Sequence, residues 1–171
     1  YYAKNKPNQE DIKKLYERNK NIFFVEFKSI QYAEIKPDLV SGNSEYDESF
    51  FKQLDIIENN VLDGKSFSET SKDNNLKIIT IDKINVKKED LNKNKIDNIP
   101  DALFNKIYNI KSAKSPEVIN LEGKYYLAEV SNIEKRNKSI NDQEVQEALN
   151  AQLSFKYKIE KNTSIAKDIG L

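Results

Sequence analysis

Residues 98–130 read NIPDALFNKIYNIKSAKSPEVINLEGKYYLAEV, a helix pattern followed at once by a hairpin pattern. Asn98, Ile99 and Pro100 open the helix, because the fixed φ of proline suits a first helical turn. Leu103, Phe104, Ile107 and Tyr108 then recur at helical spacing as its apolar face, which ends near Ile110. Val118 to Leu121 and Tyr125 to Ile133 are strand-like, and Glu122-Gly123-Lys124 between them reads as a hairpin turn built on its glycine.

Working outward, Leu76 to Val86 (LKIITIDKINV) reads as another strand, and KKEDLNKNK after it as a solvated loop. Upstream, Ser66-Phe67-Ser68-Glu69 makes a capping box that starts a short helix to about Asp73. Before that, Phe50, Leu54, Ile57 and Val61 mark a helix ending near Gly64. Ile22 to Lys36 is a strand with Ile30 and Tyr32 on one face and Ala33 and Ile35 on the other, entered from a helix at about 9 to 20. That first helix is capped by Asn8 with Asp11 and carries Ile12, Leu15 and Tyr16. Downstream, Asn141 and Glu144 cap a long helix with a stripe of Val145, Ala148, Leu149, Gln152, Phe155 and Ile159, and the first helix is its natural partner. The order β-α-α-β-α-β-β predicts an α+β fold with an antiparallel sheet of about four strands, covering helices, and terminal helices packed together.

Composition removes several kinds of chemistry. The 171 residues include no His and no Cys, which excludes disulfides, thiolate metal sites and imidazole catalysis. The 4 glycines are scattered, so no phosphate-cradling loop is present. The 28 Lys and Arg balance the 28 Asp and Glu, so neither nucleic acid nor an anionic membrane is indicated as a partner. Glu45-Tyr46-Asp47-Glu48 lacks the alternating ligands of a calcium loop and reads as a solvated helix start. No cofactor and no metal are expected. The absence of a long apolar run, the opening Tyr1-Tyr2 and an echo of Ser71–Leu76 in Ala166–Leu171 read as an excised soluble piece whose C-terminal end enters another helix-to-strand junction.

Three phrases carry a resemblance. NQEDIKKLYERNKNIFFVEFKSIQYAEI (8–35) holds Tyr16, Asn19, Lys20 and Phe23 in a Tyr-x-x-Asn-Lys-x-x-Phe pattern; GKSFSETSKDNNL (64–76) places Gly and Phe before a short polar helix; residues 98–130 add a closing helix and hairpin. In this order they resemble the parvulin-type peptidyl-prolyl isomerases of the PpiD and SurA kind. The resemblance implies an N-terminal helical segment at 1–28, a parvulin-like domain at 29–133 and a C-terminal helical segment at 134–171. It also implies a bacterial periplasmic folding factor, with an inner-membrane anchor in some full-length relatives, whose partners are unfolded or partly folded polypeptides.

Rotating an X-Pro bond crosses a barrier of about 18–20 kcal/mol, so an isomerase must hold the proline ring and favour the twisted amide. The family's two facing His positions fall on Tyr32 and Tyr126, and the stretch that introduces its acidic or thiol residue becomes LKIITIDKINV, with Asp82. If Pro100-Asp101 matches the family's Pro-Glu, the apolar pocket positions become Asn98 and Ala102. The resemblance therefore implies client binding without efficient catalysis, with Tyr32, Leu103, Phe104, Ile107 and Tyr126 as the peptide-binding candidates. The same five residues also suit plain core packing. A weakly active isomerase using the tyrosines or an acid elsewhere, and a homo-oligomerisation module built on the C-terminal helix, are the alternatives.

Overall fold

The structure, a computed structural model, describes residues 6–170; Tyr1-Tyr2 and Leu171, and with them the end of the C-terminal echo, lie outside that range. The chain forms two compact units, one built from Glu26–Glu134 and the other from the segments on either side of it.

The Glu26–Glu134 unit is organised by β1 (Phe24–Ile35) and β4 (Lys124–Asn137), the central pair of an antiparallel sheet ordered β2-β1-β4-β3, with β2 at Ile79–Ile84 and β3 at Glu117–Leu121. Both central strands are buried on both faces. On one side Ile30, Tyr32, Ala128 and Val130 pack with Leu103, Phe104, Ile107 and Tyr108 of a helix at Asp101–Tyr108. On the other, Ala33, Ile35 and Leu127 pack with Phe50, Leu54 and Ile57 of a helix at Glu48–Leu62 and with Phe67 of a helix at Phe67–Asp73. The alternation read from the sequence thus separates two apolar layers. In chain order the helices are α1 (Gln9–Asn19), α2 (Pro37–Val40), α3 (Glu48–Leu62), α4 (Phe67–Asp73), α5 (Asp101–Tyr108) and α6 (Gln143–Asp168).

Local chemistry sets the boundaries. Ser66 and Glu69 form the capping box of α4, each side chain serving the other residue's backbone N–H. The hairpin turn is Glu122-Gly123, with φ of 51° and 82°, and Lys124 already belongs to β4. Two successive positive φ values match the right-handed strand twist, which is why a two-residue turn replaces the expected three. Between the pairs Lys28↔Ile84 and Ile30↔Ile81, β2 holds one residue more than β1. This bulge is sealed by Ser29, whose Oγ donates to Asp82 Oδ1 at 2.5 Å and accepts from Lys83 N at 3.3 Å.

Some expectations are corrected. A single turn, α2, starts on Pro37 where a loop was expected, and Ser41 Oγ closes it by donating to the Pro37 carbonyl at 2.8 Å. The loop at 87–95 is mostly exposed but ordered: Asp90 Oδ1 accepts from Asn92 N and Asn94 N, and Ile96 N donates to Lys88 O.

In the other unit, Ile12 of α1 packs with Val145, Leu149 and Leu153 of α6, as the pairing of terminal helices predicts. The buried stripe of α6 runs at intervals of four, so Phe155 and Ile159, expected within it, are 66% and 50% exposed. The N-cap of α6 is Asp142 rather than Asn141, because its Oδ1 accepts from Glu144 N. Asp11 accepts a hydrogen bond from the Tyr157 hydroxyl rather than completing the cap that Asn8 makes with Glu10 N. Among the described residues no helix is long and apolar enough to cross a membrane.

Two substitutions test the packing of the sheet unit. Lys28 is 6% exposed, and its ammonium donates to the carbonyls of Tyr108 and Ile110 at 2.6 and 3.1 Å, closing the end of α5. Lys28→Met keeps the stem but leaves those carbonyls unpaired; urea unfolding should show a loss of about 2 kcal/mol. Thr70 is fully buried with no partner for Oγ1, so Thr70→Val should raise stability by about 1 kcal/mol, and a lowered urea midpoint would contradict this reading.

Candidate peptide-binding face

Period-two alternation puts Tyr32 of β1 and Tyr126 of β4 on the sheet face that α5 covers. Their rings meet edge to face, with centroids 6.5 Å apart and planes at 63°. Tyr32 is paired with Ile79 of β2 and Tyr126 with Ile119 of β3, so a row of apolar and aromatic side chains crosses the sheet. Tyr32 is 4% exposed and Tyr126 is half-buried.

Burial pushes the Tyr32 phenol above its ordinary pKa. Tyr126 is raised by burial first, then by the Glu34 carboxylate and the phenols of Tyr32 and Tyr46. Both groups therefore remain neutral at ordinary pH. Each can donate or accept a hydrogen bond, and neither acts as a proton-exchanging base there.

Of the other candidates, Leu103, Phe104 and Ile107 are 1%, 1% and 0% exposed and belong to the same core cluster as Tyr32, with Tyr126 packed against it. Asp82 is held by Ser29 at the bulge, and Ser29 projects from the strand face opposite Tyr32. The acid beside the tyrosines is instead Glu34, two residues after Tyr32 on the same strand face and 4.0 Å from Lys36 Nζ. The sequence carried that signal in the Tyr32-x-Glu34 spacing. It carried none for Tyr46, which the α2–α3 loop brings back to 6.2 Å from Tyr125.

Asn98 and Ala102, which the sequence resemblance would place at pocket positions, are both exposed. A cleft of about 360 Å³ opens nearby, lined by Val86, Lys87, Lys88, Lys95, Asp97, Asp101, Phe104 and Asn105. Its charged lining is already committed in part: Lys88 Nζ donates to the Ile99 carbonyl and to Asp101, and Lys95 Nζ to the Lys87 carbonyl. It is therefore a charged cleft rather than an apolar seat for a proline ring. Among the described residues no cluster of acids could hold a metal ion.

No family model and no curated protein sequence matches the chain. Among solved structures, one from a study of two SurA-like chaperones of Campylobacter jejuni, the virulence factor PEB4 and a periplasmic protein, is similar to it with a TM-score of 0.35 and 10% identity. The match covers 96% of this chain and 61% of that one, so this chain spans less than two thirds of it.

The tyrosines predict an alkaline response. Burial, and then the Glu26 carboxylate, push Tyr108 up to about 12, above the ordinary value of 10.0. Unfolded phenols lose their protons first, so the stabilisation is complete below pH 10 and is lost as pH rises toward 12. Unfolding midpoints measured across that window should fall, and Tyr108→Phe should flatten the fall.

Proposed function

We propose that the Glu26–Glu134 unit is a parvulin-like module that binds unfolded or partly folded polypeptides without efficient prolyl isomerisation, as part of a bacterial periplasmic folding factor. The observation that carries this reading is the pair of neutral phenols, Tyr32 and Tyr126, touching on the central strands at the two positions that the resemblance assigns to histidine. A phenol cannot supply the neutral/protonated exchange that imidazole offers near neutral pH. The pocket positions Asn98 and Ala102 are exposed and small or polar, so little would grip a proline ring. Of the tyrosine pair, the half-buried Tyr126 keeps accessible aromatic surface, while Tyr32 is 4% exposed, and such surface suits contact with extended chains of varied sequence. The periplasmic assignment rests on the sequence resemblance, and the cysteine-free composition is compatible with it.

The rival is a slow isomerase in which the Tyr126 hydroxyl donates a hydrogen bond to the substrate. One pair of assays separates the two. The chain should suppress aggregation of a reduced, unfolded client at near-stoichiometric ratio, while a protease-free assay on X-Pro peptides gives the uncatalysed rate. An accelerated rate that Tyr126→Phe abolishes would establish the rival. Failure to slow aggregation of any client would remove the binding reading.

A further inference from the structure

At the start of β4, around Tyr125 on the sheet face opposite Tyr126, lies an aromatic patch that the core does not consume. Tyr46 and Phe51 are 42% and 40% exposed, yet both rest on Phe50, which is fully buried, with ring centroids at 4.9 and 5.3 Å. Tyr125 completes the patch at 5.9 Å from Phe51 and 5.6 Å from Phe50. Because Phe50 and Tyr125 anchor them, the exposed rings are held in place before anything lands on them, which lowers the entropic cost of binding.

The chain that leads into this patch is acidic. Between Glu34 and Glu48 the sequence carries Glu34, Asp38, Glu45, Asp47 and Glu48 against the single base Lys36. Asp47 is committed as the cap of α3, accepting from Phe50 N, and Glu48 pairs with Lys52 at 2.9 Å. Glu34, which is 4.0 Å from Lys36 Nζ, and Asp38 lie close enough to raise the Tyr46 phenol further after burial has raised it. Electron-rich ring faces beside carboxylates attract a cation, while the rings themselves cover apolar groups.

We infer that Tyr46, Phe51 and Tyr125, rimmed by Glu34 and Asp38, form a landing site for lysine- or arginine-bearing apolar segments of an unfolded chain. The inference rests on the client-binding reading and names the chemistry of the client. An aliphatic or aromatic side chain packs on the exposed rings. The stem of a neighbouring Lys or Arg lies along them, and its charged head reaches the carboxylates. The same sign of charge disfavours acidic segments, nucleic acid and anionic lipid at this patch.

The test uses the whole chain and short unfolded peptides, dansyl-labelled, that differ only in whether the positions flanking a Leu-Phe pair carry Lys, Gln or Glu. By fluorescence anisotropy at low salt, the Lys peptide should bind about tenfold more tightly than the Glu peptide, with the Gln peptide between them. That preference should shrink as added salt shortens the screening length. Glu34→Gln combined with Asp38→Asn should remove most of the preference. Phe51→Ala should weaken all the peptides, and if that variant does not fold, the peptide series on the unaltered chain decides. Equal affinities for the Lys and Glu peptides would overturn the inference and leave the client-binding reading standing. Binding of no peptide, together with unslowed client aggregation, would overturn both.

Discussion

Strands β1 and β4 must each bury side chains on both faces, and the rest of the sheet unit is arranged to meet that demand. Ile30 and Tyr32 need the cover that α5 provides, and Ala33 and Ile35 need α3 and α4. A strand covered on both sides cannot slip by one residue without moving every side chain into the wrong layer. The bulge in β2 follows from the same demand, since it turns both Ile81 and Ile84 toward the α5 layer although they are three residues apart. Lys28 is a buried charged residue in that layer, and it is satisfied by the carbonyls at the end of α5.

This constraint also fixes the chemistry of the candidate site. With register set, Tyr32 and Tyr126 have to meet on the α5 face, half a strand away from Asp82 and its bulge. Burial then keeps the phenols protonated. The two central positions thus carry phenols that stay neutral near neutral pH. Exposed aromatic surface lies at the margin of the sheet, where the α2–α3 loop folds Tyr46 over the start of β4.

Local signals were readable from the sequence wherever a few neighbouring residues decide the outcome. The Ser66–Glu69 capping box, the glycine of the β3–β4 turn and the two-sided pattern of β1 all depend on short-range stereochemistry, and all appear as expected. The stripe of α6 was harder to read. Two overlapping apolar rows exist on that helix, and only packing with α1 selects Val145, Leu149 and Leu153 over the row containing Phe155 and Ile159. Asn141 and Asp142 are both sound caps, and backbone geometry decides between them. The juxtaposition of Tyr46 with Tyr125 has no local signature, because 78 residues lie between them in the chain and the loop path alone brings them together. Glu34 was within reach of a period-two argument, but its importance depends on the same loop.

The most direct measurement is NMR of the isotopically labelled chain titrated with a reduced, unfolded client protein. The proposed account predicts backbone amide shifts concentrated at Tyr46, Phe51, Tyr125 and Tyr126, with the rest of the sheet little changed. Shifts confined to α1 and α6, or client binding with no perturbation anywhere in the Glu26–Glu134 unit, would contradict it.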